Sequence, residues 1–145
     1  MNSLVKKLRE NIDWSKYRVL YAILFGSALR KSRPRDIDIA VMFSKKPDLD
    51  VIVELMDDIG RAIGYSMENI DIVPLNREIP CELLLEIVKG IVLYVENLDE
   101  YVDDICRRIM ICYDNSININ KLKVMETALR VLKERSKSGG SKKAS

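Results

Sequence analysis

The sequence predicts an α+β fold: a mixed sheet of about four strands flanked by helices, followed by a C-terminal helical extension. Three observations point there. Apolar runs of strand length, Tyr17–Phe25, Asp36–Phe43, Glu68–Pro74 and Ile91–Val95, alternate with stretches of helical period. Glycine, proline and serine punctuate the junctions between them. From Leu98 onward only helical period remains. The chain has 145 residues, the length of one domain, and its 48% hydrophobic content suffices for a core. Residues 1–97 are read as that core, residues 98–135 as a helical extension of the same domain, and residues 136–145 as a polar tail.

Residues 3–11 form the first expected helix, with Ser3 as N-cap and Leu4 and Leu8 on one face. Trp14, the sole tryptophan, lies in the following connection and is read as a packing anchor. The first strand is apolar nearly throughout, as a strand covered on both faces should be. A short turn or helix over Ser27–Ser32 follows, and Pro34 ends it by biasing Arg33 towards extended backbone. After the second strand, Asp48–Ile63 carries Val51, Ile52, Leu55, Met56, Ile59 and Ile63 at helical spacing. Asp48 suits the N-cap and Gly64 the C-cap. Asp57 and Asp58 are adjacent on that helix, do not face one another, and are read as a solvated pair. A helix from Pro80 to Lys89, with Leu84, Leu85, Ile87 and Val88 apolar, leads to the fourth strand. In the extension, Tyr101, Ile105, Arg108, Ile109 and Cys112 recur at helical spacing. Asp114–Asn120 interrupts with poor helix formers. Lys121–Arg135 resumes with a stripe of Leu122, Met125, Leu129 and Leu132, so the two helices form a hairpin or meet a partner. The Gly/Ser-rich tail is expected to be disordered.

Composition excludes several chemistries. There is no histidine, which removes Ser-His-Asp, Cys-His and imidazole-base catalysis. Cys81, Cys106 and Cys112 form no CxxC pair and offer no zinc set, so they are read as small buried thiols in a reducing compartment. A net charge of +2 does not mark a nucleic-acid binder. No apolar run is long enough to span a bilayer, and the N-terminal residues lack the apolar core of a signal peptide. The expected location is the cytoplasm.

The chemistry concentrates between Phe25 and Val41. The first strand ends at Gly26-Ser27, a basic turn carries Arg30, Lys31, Arg33 and Arg35, and the second strand opens with Asp36-Ile37-Asp38. Residues i and i+2 of a strand share a face, so Asp36 and Asp38 project together. Two adjacent carboxylates stay ionised only beside a positive charge, and Mg²⁺ with substrate phosphates supplies one. Gly26 permits close backbone approach, and Ser27 can cap a following helix whose N–H groups attract phosphate. A third acid, Asp71, lies between Ile70 and Ile72 on the third strand.

This order of Gly-Ser, basic turn, Asp-Ile-Asp and later strand acid resembles the DNA polymerase β superfamily of nucleotidyltransferases. Its size is most similar to the minimal nucleotidyltransferases of prokaryotes, many of which are antitoxins beside a HEPN-domain toxin. The resemblance covers residues 18–76, with weaker support to residue 96. The turn between Ser27 and Asp36 is shorter than in the commonest form of the pattern. The resemblance implies a polymerase β-like fold and a catalytic, metal-binding triad of Asp36, Asp38 and Asp71 holding one or two Mg²⁺ ions. It implies that Gly26 and Ser27 hold the β- and γ-phosphates of a nucleoside triphosphate, with Arg30, Lys31, Arg33 and Arg35 available for charge stabilisation. The implied reaction is transfer of AMP from ATP to a tyrosine of a HEPN toxin partner. Two other readings stand beside it: a non-catalytic module that masks a toxin through helices bearing Met125 and Leu129, and a small-molecule nucleotidyltransferase of the antibiotic-modifying kind. The apolar helices also allow a homodimer.

Overall fold

The computed structural model describes residues 2–114 and 127–134. Four strands, β1 (Val19–Phe25), β2 (Ile37–Phe43), β3 (Ile70–Pro74) and β4 (Ile91–Val95), form one sheet in the order β3-β2-β1-β4. β1 runs antiparallel to β2 and β4, while β2 and β3 are parallel. The sheet is thus mixed, as the sequence predicts. A parallel pair cannot be joined by a tight turn. Helix α2 (Leu49–Ile63) makes the crossover between β2 and β3.

Strand alternation sorts the apolar side chains into two layers. Ile37, Ile39 and Val41 of β2 join Leu8 of helix α1 (Asn2–Glu10) and Leu55 and Ile59 of α2 on one face. Ala40 joins Leu84 and Ile87 of helix α3 (Cys81–Val88) and Tyr101, Ile105 and Ile109 of helix α4 (Leu98–Asp114) on the other. Residues 127–134 are helical, and Ala128 and Leu132 pack into this second layer, so the extension completes the core. Leu129, assigned to the inner stripe from spacing, is instead 37% exposed, because Ala128 and Leu132 take that face. The expected break at Asp114–Asn120 lies, after Asp114, outside the described residues, as do Leu122, Met125 and the tail. Among the described residues no helix is long and apolar enough to cross a membrane.

Local chemistry explains the boundaries. The Asp48 side chain accepts a hydrogen bond from the Val51 N–H at 3.0 Å, and Gly64 closes α2 with φ +75°. The first strand starts at Val19 rather than Tyr17. Residues Trp14–Tyr17 wind into a 3₁₀ turn, and Arg18 at φ 58° reverses the chain out of it. Trp14 is the anchor expected of it: it is buried, and its Nε1–H donates to the Leu8 carbonyl at 3.0 Å. The Asp57-Asp58 pair is not simply solvated. Asp58 accepts a hydrogen bond from the Tyr17 hydroxyl, and Asp57 pairs with Arg61 one turn on.

The cysteines depart furthest from expectation. Cys81 and Cys112 form a disulfide, with Cα atoms 5.6 Å apart, joining the start of α3 to the last turn of α4. Only Cys106 is a free thiol among the described residues, and it is half-buried. Thirty-one positions separate Cys81 from Cys112, and helix packing rather than sequence spacing brings them together.

Candidate functional site

Register builds the site. Asp38 pairs with Phe25 across the antiparallel β1–β2 ladder and with Asp71 across the parallel β2–β3 ladder. Register partners in a sheet project to the same side, so Asp38 and Asp71 stand together at the strand ends, on the α3–α4 face. Asp36 precedes β2 by one residue and is held by Asn69, whose Nδ2 donates to Asp36 Oδ1 at 3.2 Å. Asn69 was not singled out by sequence reasoning. Its position two residues before Asp71 was the available signal, although it ends a 3₁₀ turn (Met67–Asn69) rather than lying in β3.

Gly26 sets the opposite wall. It follows Phe25 with φ +81°, a conformation that L side chains rarely adopt. A Cβ at this position would lie 2.7 Å from Asp38 Oδ2. The missing side chain therefore makes room for the carboxylate. Gly26–Leu29 forms a 3₁₀ turn rather than a full helix, with Ala28 buried beneath it. Ser27 does not cap it through its hydroxyl. Its carbonyl instead accepts the Arg30 and Lys31 N–H groups at 3.0 and 3.2 Å. The Tyr65 hydroxyl donates to the Pro34 carbonyl at 2.7 Å and fastens the basic turn to the segment after α2. Arg30, Lys31, Arg33 and Arg35 are all exposed, and none forms an ion pair among the described residues.

Electrostatics tie these groups together. Burial, then the negative charges of Asp71, Asp36 and Glu86, push the Asp38 carboxyl above its ordinary value. Glu86 is a fourth acid that the linear pattern gave no reason to choose. Its charge acts on Asp38 from α3, which packs against β1. Gly90 follows α3 so closely against β1 that a Cβ there would lie 2.3 Å from the Leu24 carbonyl oxygen. Among the described residues no three acid, cysteine or histidine side chains converge into a ready-made metal cluster. The donor set nevertheless suits a hard cation: it consists of carboxylate oxygens, and their mutual repulsion is what a bound positive charge relieves.

A mixed sheet with acids from two neighbouring parallel strands, facing a glycine turn at the end of a third, is the architecture of a nucleotidyltransferase. The family model described as polymerase beta, nucleotidyltransferase matches residues 6–99. The chain belongs to the polymerase beta nucleotidyltransferase family. A comparison with curated proteins finds no match. Among solved structures, the chain is similar in fold to a protein from Shewanella oneidensis, at 20% identity and a TM-score of 0.50, over 95% of each chain. It also matches a toxin–antitoxin structure with AMP-PNP at 24% identity and a TM-score of 0.48, over 94% of this chain and 93% of that one. A tri-AMPylated Shewanella oneidensis HEPN toxin in complex with an MNT antitoxin gives 23% identity and a TM-score of 0.45, over 94% and 90%. These last two superpose less closely.

Proposed function

We propose that this protein transfers AMP from ATP to a tyrosine hydroxyl of a HEPN-type toxin and acts as that toxin's antitoxin. The observation that carries the reading is the seat of Asp38: opposite Asp71 in register, with its carboxylate in the space that Gly26 leaves free. The Gly-Ser to Asp-Ile-Asp motif, with its resemblance to the minimal nucleotidyltransferases, adds the acceptor class.

Asp36, Asp38 and Asp71 would hold one or two Mg²⁺ ions, which when bound neutralise the triphosphate and stabilise charge at the α-phosphate. The chain's own groups do the rest. Gly26 lets the phosphates approach the backbone, and Ser27 offers its hydroxyl to them. The four exposed cations of the basic turn draw the nucleotide to the strand ends. Asn69 keeps Asp36 in place. The acceptor oxygen attacks the α-phosphorus, an O–P bond forms, and the bond to pyrophosphate breaks. Asp71, on the edge strand β3, is also open to take the proton released by the hydroxyl.

The test is intact-mass measurement of a co-expressed toxin after incubation with ATP and Mg²⁺. The wild-type protein should add one or more AMP increments, and Asp38→Asn should slow the addition by about 100-fold or more. No increment with the wild type refutes the transfer. Toxin neutralisation by Asp38→Asn equal to that by the wild type would replace it with masking by binding alone.

A further inference from the structure

Away from the acid rim, an open groove of about 820 Å³ lies between the first half of α4 and the 127–134 helix. Its lining includes Val102 and Leu132, and its lips carry Leu98 and Leu129, which are 47% and 37% exposed. Its two walls have opposite signs. Asp99 and Asp103 line the α4 side, and Arg130 and Lys133 line the other. Among the described residues no ion pair joins these acids to these bases. Apolar lips and charges left unmatched across the gap describe a surface that something else completes.

We propose that a second copy of this chain fills the groove and forms a two-fold dimer. A two-fold axis running along the groove exchanges its two sides, so each acidic wall meets the partner copy's basic wall, twice over. A ligand of one sign would satisfy one wall and be repelled by the other. The leucines at the lips enter the opposing groove and form the dry centre of the contact, with the four charged residues as its rim. This arrangement does not depend on the transfer reaction and uses none of its residues.

The test uses two charge-reversed full-length chains. In one, Asp99→Lys and Asp103→Lys make the groove wholly basic. In the other, Arg130→Glu and Lys133→Glu make it wholly acidic. Sedimentation equilibrium at low salt should find the wild type dimeric and each reversed chain monomeric. An equimolar mixture of the two reversed chains should restore a dimer containing one of each. Leu129→Glu should be monomeric alone. Thermal melts establish that each variant is folded, which the surface position of these side chains favours. The proposal is overturned by a wild type that stays monomeric at all concentrations. It is equally overturned by dimers that ignore both reversals, or by reversed chains that fail to pair when mixed.

Discussion

Two glycines have nearly the same positive φ and different surroundings, and that contrast isolates what the acid rim needs. Gly26 has φ +81° and Gly64 has φ +75°. Alanine at either position must enter the left-handed region, at about 1–2 kcal/mol, offset by roughly 0.4–1 kcal/mol from a less flexible unfolded chain. A net loss of about 1 kcal/mol should lower Tm by roughly 4 °C in both variants. The added methyl meets nothing within 4 Å at Gly64, but at Gly26 it stands 2.7 Å from Asp38 Oδ2. Ordinary contact needs about 3.5 Å, so the carboxylate must retreat by roughly 0.8 Å. Rotating a carboxylate is easy, so the melt should barely register the retreat. Transfer chemistry should register it strongly, since a misplacement of about 1 Å can cost on the order of 100-fold in rate. The assay is AMP transfer alongside thermal melts of Gly26→Ala, Gly64→Ala and wild type. The expectation is equal melting losses, with transfer slowed on the order of 100-fold only in Gly26→Ala. Gly26→Ala transferring within about threefold of wild type would refute the reasoning, as would an equal activity loss in Gly64→Ala.

Because Asp38 is held above the ordinary carboxylate value of 3.8, folding favours its neutral form, and stability declines as pH rises through the window above that value. In metal-free buffer Asp38→Asn should therefore melt higher than wild type at neutral pH, the advantage fading below about pH 4. Tyr21 donates to Asp104 at 2.5 Å, and burial followed by that bond raises its hydroxyl far above 10.0. Above pH 10 the unfolded tyrosine sheds its proton and the folded one keeps it, so stability falls with pH. Tyr21→Phe should be less stable at pH 7 and show a shallower alkaline decline in urea midpoint. Opening the Cys81–Cys112 bond frees a loop closed over 31 positions, a loss of roughly 3–4 kcal/mol by chain entropy. Reduced wild type and Cys112→Ser should show matching drops in denaturant midpoint.

Much of the fold was legible because local and tertiary preferences agree. Apolar runs became buried strands, and the stripe of Leu55, Ile59 and Ile63 became the inner face of α2. Asp38 and Asp71 were legible because their isoleucine neighbours fixed which way each acid had to face. What escaped was set by packing between distant segments. No spacing rule links Cys81 to Cys112, and the charge of Glu86 acts on Asp38 only once α3 has closed on β1. Ser27 promised a side-chain cap, but a four-residue 3₁₀ turn offers no helix for it to cap. Leu129 fitted the stripe by number, yet Ala128 and Leu132 face the core and leave the leucine on the outer side.

The parallel pairing of β2 with β3 carries a kinetic consequence. Asp38 and Asp71 lie 33 positions apart and become neighbours only after the crossover through α2 has closed, because no hairpin can bring parallel strands together. The glycine turn with β2 brings Asp36 and Asp38 but not Asp71, and β3 alone brings only Asp71. The ability to act on a nucleotide should thus wait for this long-range pairing, and recovery of turnover during refolding should lag the return of helical signal.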